Sequence, residues 1–241
     1  MMRIRLTTRP LVLFGAMLVI ALIATFPMRL ALALTGLGEA GLSARSSVGP
    51  VWFATLREVH FGDVELGDVH AFLSPWQLLV GRARVDLAGP PVVTGEALRG
   101  GISVSRHSMG VDDVTANVAP GDVFAPLPVT KLDLGDLSVR FENGSCQQAG
   151  GSVKAELGGG LAGLALAQGM TGNARCEGGA LLIPLASASG NERIRLLVRG
   201  DGRYRAELLV APADAAVTQQ LVANGFQSDN DGYRLSVEGR F

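Results

Sequence analysis

Residues 231–241 read DGYRLSVEGRF. Tyr233, Leu235 and Val237 alternate with Arg234, Ser236 and Glu238. Successive side chains of a strand point to opposite faces, so this period of two sets one side on a core and the other in water. The Asp231-Gly232 pair just ahead supplies a turn. The same pattern recurs upstream. Ile194, Leu196 and Val198 alternate with Arg193, Arg195 and Arg199, and only Leu197 breaks the order. Leu132, Leu134 and Leu137 fall on a similar strand around Asp133. Gly-Asp or Asp-Gly pairs punctuate the chain at 62–63, 67–68, 121–122, 135–136 and 201–202. They offer turns, bulges and positive φ values that β-branched residues resist. The spacing predicts a dozen or more short, mostly antiparallel strands with turns every 8–12 residues or so. The fold class is mainly β, as a sandwich or a curved sheet.

Composition agrees. The 241 residues are 48% apolar, 18% charged and 5% aromatic, with 32 glycines. Such a chain is too apolar for disorder, and its glycines lack the period of three that collagen needs. Only Lys131 and Lys154 are lysines, and net charge is −1. A broad basic surface for nucleic acid is therefore excluded.

The average hides two populations. The first 34 residues hold Arg3, Arg5, Arg9 and Arg29 and no acid. The remaining residues count 17 basic against 22 acidic, a net of −5. Residues 11–28, LVLFGAMLVIALIATFPM, form an uncharged run of 18 residues. As a helix this reaches about 27 Å, near the ~30 Å of a hydrocarbon core. Arginines ahead of it keep the N-terminal end in the cytoplasm and send the rest across. Two readings follow. The run is a secretion signal cut near Ala31-Leu32-Ala33, or it is a retained anchor. It exceeds the usual ~7–15 residues of a signal core, and Pro27 and Arg29 precede the cleavage site, so the anchor is favoured. This divides the chain into a cytoplasmic basic end (1–10), a transmembrane helix (11–28) and a periplasmic β-rich domain (35–241).

One short C-terminal helix is expected over 212–224, with Pro212 in the first turn and Asn224-Gly225 as its stop. Val217, Leu221 and Val222 would face the sheet. The segment SPWQLLVG, 74–81, reads as a short helical turn or part of a strand. Cys146 and Cys176 both lie in the exported part. An oxidising periplasm favours a disulfide between them, and two buried free thiols are the alternative. VELGDV at 64–69 resembles LDLGDL at 132–137, a shift of 68 residues. That exceeds a solenoid repeat and reads as two similar Gly-Asp bulges.

Catalytic, metal and cofactor signatures are weak. His60, Asp63, Glu65, Asp68 and His70 are the densest set of titratable residues. On a straight strand, His60, Asp68 and His70 share one face, and a solvated strand face accounts for them. Gly158-x-Gly160-x-x-Gly163 matches a dinucleotide fingerprint, yet the next residues are interrupted by Gly169 and Gly172 and do not read as the helix that must hold pyrophosphate. No G-x-S-x-G and no spaced Ser/His/Asp set is present. Asn143-Gly144-Ser145 reads as a turn. No catalytic, metal-binding or cofactor-binding residue is assigned. The alternating end at Phe241 is compatible with the last strand of an outer-membrane barrel. Thirteen aromatics are too few for its girdles, and the apolar run at 11–28 would stop such a chain in the inner membrane.

Several local patterns together resemble the type II secretion system protein N family. The single span ends in Phe26-Pro27, then come Gly49-Pro50-Val51-Trp52 and Val64-x-Leu66-Gly67. Next are Pro75-x-x-Leu78-Leu79-x-Gly81, an aliphatic strand ending Asp86-Leu87, the paired Cys146 and Cys176 with Gly172-x-x-x-Cys176-x-x-Gly179, and Leu221-x-x-x-Gly225 before Asp231-Gly232-Tyr233-x-Leu235. One departure stands out: Phe72 occupies the place ahead of Pro75 where a tryptophan is expected, and Trp76 follows just after.

The resemblance implies a bitopic inner-membrane protein whose periplasmic domain contacts other subunits of the secretion machinery and catalyses no reaction. Trp52 and Trp76 are the candidates for core packing or for contact. Two other readings stay open: an AsmA-like lipid-handling protein of the envelope, with lipid as a partner, and the outer-membrane barrel.

Overall fold

The alternating runs form strands in the protein, described by a computed structural model over residues 10–28, 30, 42–61, 64–78, 81–90, 97–158, 160–161, 164–165, 169–212 and 215–240. The cleavage motif Ala31-Leu32-Ala33, Asp63, and Gly163 of the glycine fingerprint lie outside these residues.

The first half of the chain contributes α1 (Pro10–Ala24), β1 (Leu42–Val48), β2 (Ala54–Phe61), β3 (Val64–Leu73), α2 (Pro75–Leu78), β4 (Ala83–Ala88), β5 (Arg99–Val104) and β6 (Ser108–Val118). The two longest strands follow, β7 (Val129–Glu142) and β8 (Ser145–Leu157), with the two-residue strands β9 (Gly160–Leu161) and β10 (Leu164–Ala165). Then come β11 (Gly169–Asn173), β12 (Arg175–Glu177), β13 (Ala180–Ser187), β14 (Glu192–Val198) and β15 (Arg203–Val210). The chain closes with α3 (Ala215–Ala223), β16 (Gln227–Asp229) and β17 (Gly232–Arg240).

All strands but β9 and β10 join one antiparallel sheet, in the order β1-β2-β3-β4-β5-β6-β7-β8-β11-β13-β14-β15-β17-β16, with β12 paired to β13. This resolves the choice between sandwich and curved sheet toward one continuous sheet. The meander needs only short connections, which antiparallel neighbours allow. Asn143 and Gly144 link β7 to β8 with φ of 49° and 79°, a two-residue turn of the twist hairpins favour. Among the described residues, β1 and β16 end the sheet and no ladder joins them.

Bulges interrupt the ladder between β2 and β3, β5 and β6, β6 and β7, and β7 and β8. The two Gly-Asp segments singled out in the sequence sit at such bulges. Gly67 has φ of 72° in the first, whereas Asp136, not Gly135, takes φ of 49° in the second. The echo is shared bulge chemistry, offset by one residue.

Among the described residues, non-strand segments cover the apolar face of this sheet. The larger core gathers residues of β7, β8, β11, β13, β14, β15 and β17, among them Ala155, Met170, Leu208 and Leu235. Two non-strand segments cover it. The connection after β6 buries Phe124 and Leu127 there, and α3 buries Leu221. Phe124 meets Tyr204 edge-on at 5.4 Å, and the Tyr204 hydroxyl donates to the Val123 carbonyl. α3 ends where its sequence says it should. Gly225, at φ 89°, donates to the Val222 carbonyl, and Phe226 donates to Leu221 at 3.1 Å. That pair of bonds is a Schellman stop, closed by the apolar contact of Leu221 with Phe226.

Two expectations for α3 are corrected: Pro212 lies ahead of the helix, which begins at Ala215, and the apolar face is narrower than the sequence suggested. Leu221 is buried and Val217 packs against the core, but Val222 is 56% exposed. Residues four apart share a helix face, whereas the next position lies about 100° further round.

A second, smaller core lies under β1 to β4. It is built from Met28, Val51, Ala54, Leu56, Val59, Val69 and Ala71. Both cores are on the same sheet face. Leu73, Val85, Ile102, Val111 and Val139 stand opposite one another across five successive strands. Leu73 and Val85 pack on the smaller core, Val111 and Val139 on the larger. Between them Ile102, Val104 and Met109 remain exposed.

Leu197, the residue that broke the alternation, has a place too. It pairs with Leu182, which is buried on the face opposite the larger core.

Candidate functional site

The most elaborated contact outside the cores is the junction between α1 and the loop joining β1 to β2. The last carbonyls of a helix have no partner within it. Here the Trp52 indole Nε1 donates to the Ile23 carbonyl at 2.9 Å. Val51 N donates to the Phe26 carbonyl at 2.8 Å, and Met28 N to the Gly49 carbonyl at 3.3 Å. Pro27 and Pro50 form a β-bridge between the same segments. Met28 and Val51 are buried in the smaller core, with Phe26 and Trp52 packed against it. Trp52 therefore combines packing and a hydrogen bond, tying the helix end to the sheet. The two partners are 29 residues apart, so no local pattern reveals the bond.

α1 itself is 15 residues long, and among the described residues no helix is long and apolar enough to cross a membrane. Its side chains are apolar on every side and exposed, including Phe14, Met17, Ile20 and Leu22.

Trp76 lies elsewhere in role. It sits on α2, after β3, and is 78% exposed, so it fills no core. Phe53, 68% exposed, lies directly after Trp52 and meets Phe72 of β3 at 5.4 Å between ring centres. Phe72 is the residue standing where a tryptophan was expected, and it too is exposed.

Cys146 of β8 and Cys176 of β12, 30 positions apart in sequence, form a disulfide with Cα atoms 5.5 Å apart. Cys146 also donates its backbone N to the Gly179 carbonyl at 2.7 Å. The bond holds the three-residue strand β12 against β8 at the rim of the larger core.

The titratable residues of β2 and β3 spend their polar atoms locally. His60 Nδ1 lies 3.0 Å from the Glu58 carbonyl, and His70 Nδ1 lies 3.1 Å from the Thr55 hydroxyl. Asp68 accepts the Glu58 backbone N–H at 3.0 Å, which steadies the bulge where Glu58 has φ of 49°. Among the described residues no three His, Cys, Asp or Glu converge as metal ligands. After Gly158, whose N–H donates to the Pro128 carbonyl at 2.8 Å, the chain makes the β9–β10 hairpin. A hairpin there presents no helix N-terminus to a pyrophosphate.

A cleft of about 210 Å³ lies between the β5–β6 and β7–β8 turns, lined by Arg106, His107, Phe141 and Asn143. It is smaller than the usual ~300–1,000 Å³ of a small-molecule site. Ion pairs are surface features. Arg84 reaches Asp86 at 2.8 Å and Asp112 at 3.7 Å across β4, β5 and β6, and the hydrogen bond it donates to the Asp86 carboxylate raises its pKa above the ordinary guanidinium value.

No curated protein and no solved structure matches the chain. A family model does: type II secretion system (T2SS), protein N, over residues 40–236. The match runs from just before β1 into β17 and so takes in the junction loop, the disulfide and the Schellman stop. As that match covers most of the chain, the chain belongs to the type II secretion system protein N family.

Proposed function

We propose that the protein is a non-enzymatic accessory component of the type II protein secretion machinery, held in the inner membrane by one span and contacting other subunits through a periplasmic β-sheet. In this reading residues 1–10 are cytoplasmic, 11–28 span the membrane and 35–241 are periplasmic. The observation that carries it is the family match over residues 40–236, and the apolar surface of α1 supports the membrane attachment. That uncharged, exposed surface has no counterpart among the described residues to pack on, and a helix apolar all round belongs in a protein interior or a bilayer. The basic residues ahead of it favour export of the sheet. A disulfide suits the same oxidising compartment.

In-cell cross-linking tests the contact. A photoreactive residue at Thr55 or Arg57, on β2 beside the junction, is expected to capture other subunits of the machine. Capture of none, with the chain present at normal level in the membrane fraction, contradicts a contact role for this face.

A second reading, envelope lipid handling, is favoured by one feature. Ile102, Val104 and Met109 leave an apolar strip open between the two cores on one sheet face. Lipid co-purifying with the protein, and lost in an Ile102→Glu variant, supports that reading. Protein carrying no lipid by mass spectrometry removes it.

A further inference from the structure

Phe53 follows the loop residue that holds the end of α1, Phe72 lies on β3 beside it, and Trp76 stands on α2, the helix that follows β3. Phe53 and Phe72 touch at 5.4 Å, and Trp76 follows Phe72 by four residues. All three are exposed. Exposed aromatic side chains grouped near one end of a sheet offer a contact surface.

The length of α1 says what covers it. Fifteen helical residues rise about 22 Å, some 7–8 Å less than the ~30 Å hydrocarbon slab. Arg3, Arg5 and Arg9 precede Pro10 in the sequence, and basic residues favour a headgroup position for the start of the helix. Ala24 then lies below the opposite surface, and Thr25 to Met28 must cover the remaining depth. Those residues are not free to extend away from the sheet. Phe26 and Met28 are hydrogen-bonded to Val51 and Gly49, and Trp52 reaches back to Ile23, inside the helix. The short helix thus draws the Gly49 to Phe53 loop into the headgroup layer. Phe53 and its neighbour Phe72 go with it. Phenyl rings bury apolar area at the headgroup–acyl boundary, and the amphipathic indole of a tryptophan is favoured in the same layer.

We propose that Phe53, Phe72 and Trp76 form a collar seated in the headgroup layer of the membrane that α1 enters, with a lipid surface as its partner. The proposal rests on α1 spanning that membrane. It fixes the sheet close against the bilayer, not at the end of a free tether.

The chain has two tryptophans, so Trp52→Phe leaves Trp76 as the sole indole. The full chain of this variant is reconstituted in phosphatidylcholine vesicles, with or without bromine at the upper part of the acyl chains. Trp76 emission is expected to fall at least about two-fold in brominated vesicles, as for an interfacial indole. Should the variant fail to fold, wild type compared with Trp76→Phe yields the same quantity by difference. Unquenched Trp76 in chains that resist alkaline extraction overturns the collar and makes the aromatics a protein contact. Chains released by alkaline extraction overturn the spanning helix itself, and the collar with it.

Discussion

Gly172 shows how much one missing methyl group decides. A Cβ built there lies 1.8 Å from the carbonyl oxygen of Pro184, which is backbone and cannot swing aside. β11 lies between β8 and β13, and it reaches β13 this closely only because position 172 is bare. Gly172→Ala is expected to destabilise the fold by about 1–3 kcal/mol in chemical denaturation, in the range of overpacked cores. Gly150→Ala, where a Cβ meets nothing within 4 Å, serves as the control and is expected to change little. Tyr204 gives a pH-dependent prediction. Burial raises its phenol above the ordinary 10.0. Folding therefore favours the neutral phenol. That contribution is whole below pH ~10 and drains away as pH rises through the folded value. Tyr204→Phe is expected to flatten the alkaline loss of stability, measured by denaturation above pH ~10 against wild type. An equal slope in both proteins contradicts it. Neither residue's role was legible in the sequence. A glycine that admits a neighbouring strand looks like one that makes a turn, and the contact of Tyr204 with Phe124 spans 80 positions.

Elements were more legible than contacts. The period of two yielded strands at 192–198 and 232–240, and Asn224-Gly225 stopped a helix as expected. The helix face was read less well, because three apolar residues within two turns leave its orientation underdetermined. Leu221→Ala is expected to cost about 2–5 kcal/mol as a core truncation, and Val222→Ala less than about 0.5. Comparable costs for the two would contradict the packing of α3. The disulfide was one of two readings of Cys146 and Cys176, and the fold decides between them by placing β12 beside β8. The strap from Trp52 to Ile23 carried no signal, since it joins a helix end to a loop beyond an intervening strand.

At the scale of the whole molecule, one sheet carries two cores on one face, and its chemistry is that of covering and contact. The larger core is covered by a connection and a helix, the smaller by the tail of α1. Alternation in sequence announces an apolar face but not what lies on it. A sandwich and a single covered sheet therefore share one sequence pattern, and only the ladder order separates them. The family was legible because its signatures are spread along most of the chain. Membership of that family and attachment to the membrane meet in one measurement. It is the share of a type II exoprotein held in the periplasm of a deletion strain. The strain is complemented either with the full chain or with residues 35–241 exported on a cleavable signal. Full chain is expected to restore release to the medium, while the freed sheet leaves exoprotein in the periplasm as the deletion does. Normal release from the uncomplemented deletion, or full restoration by the freed sheet, would contradict an anchored component of the secretion machine.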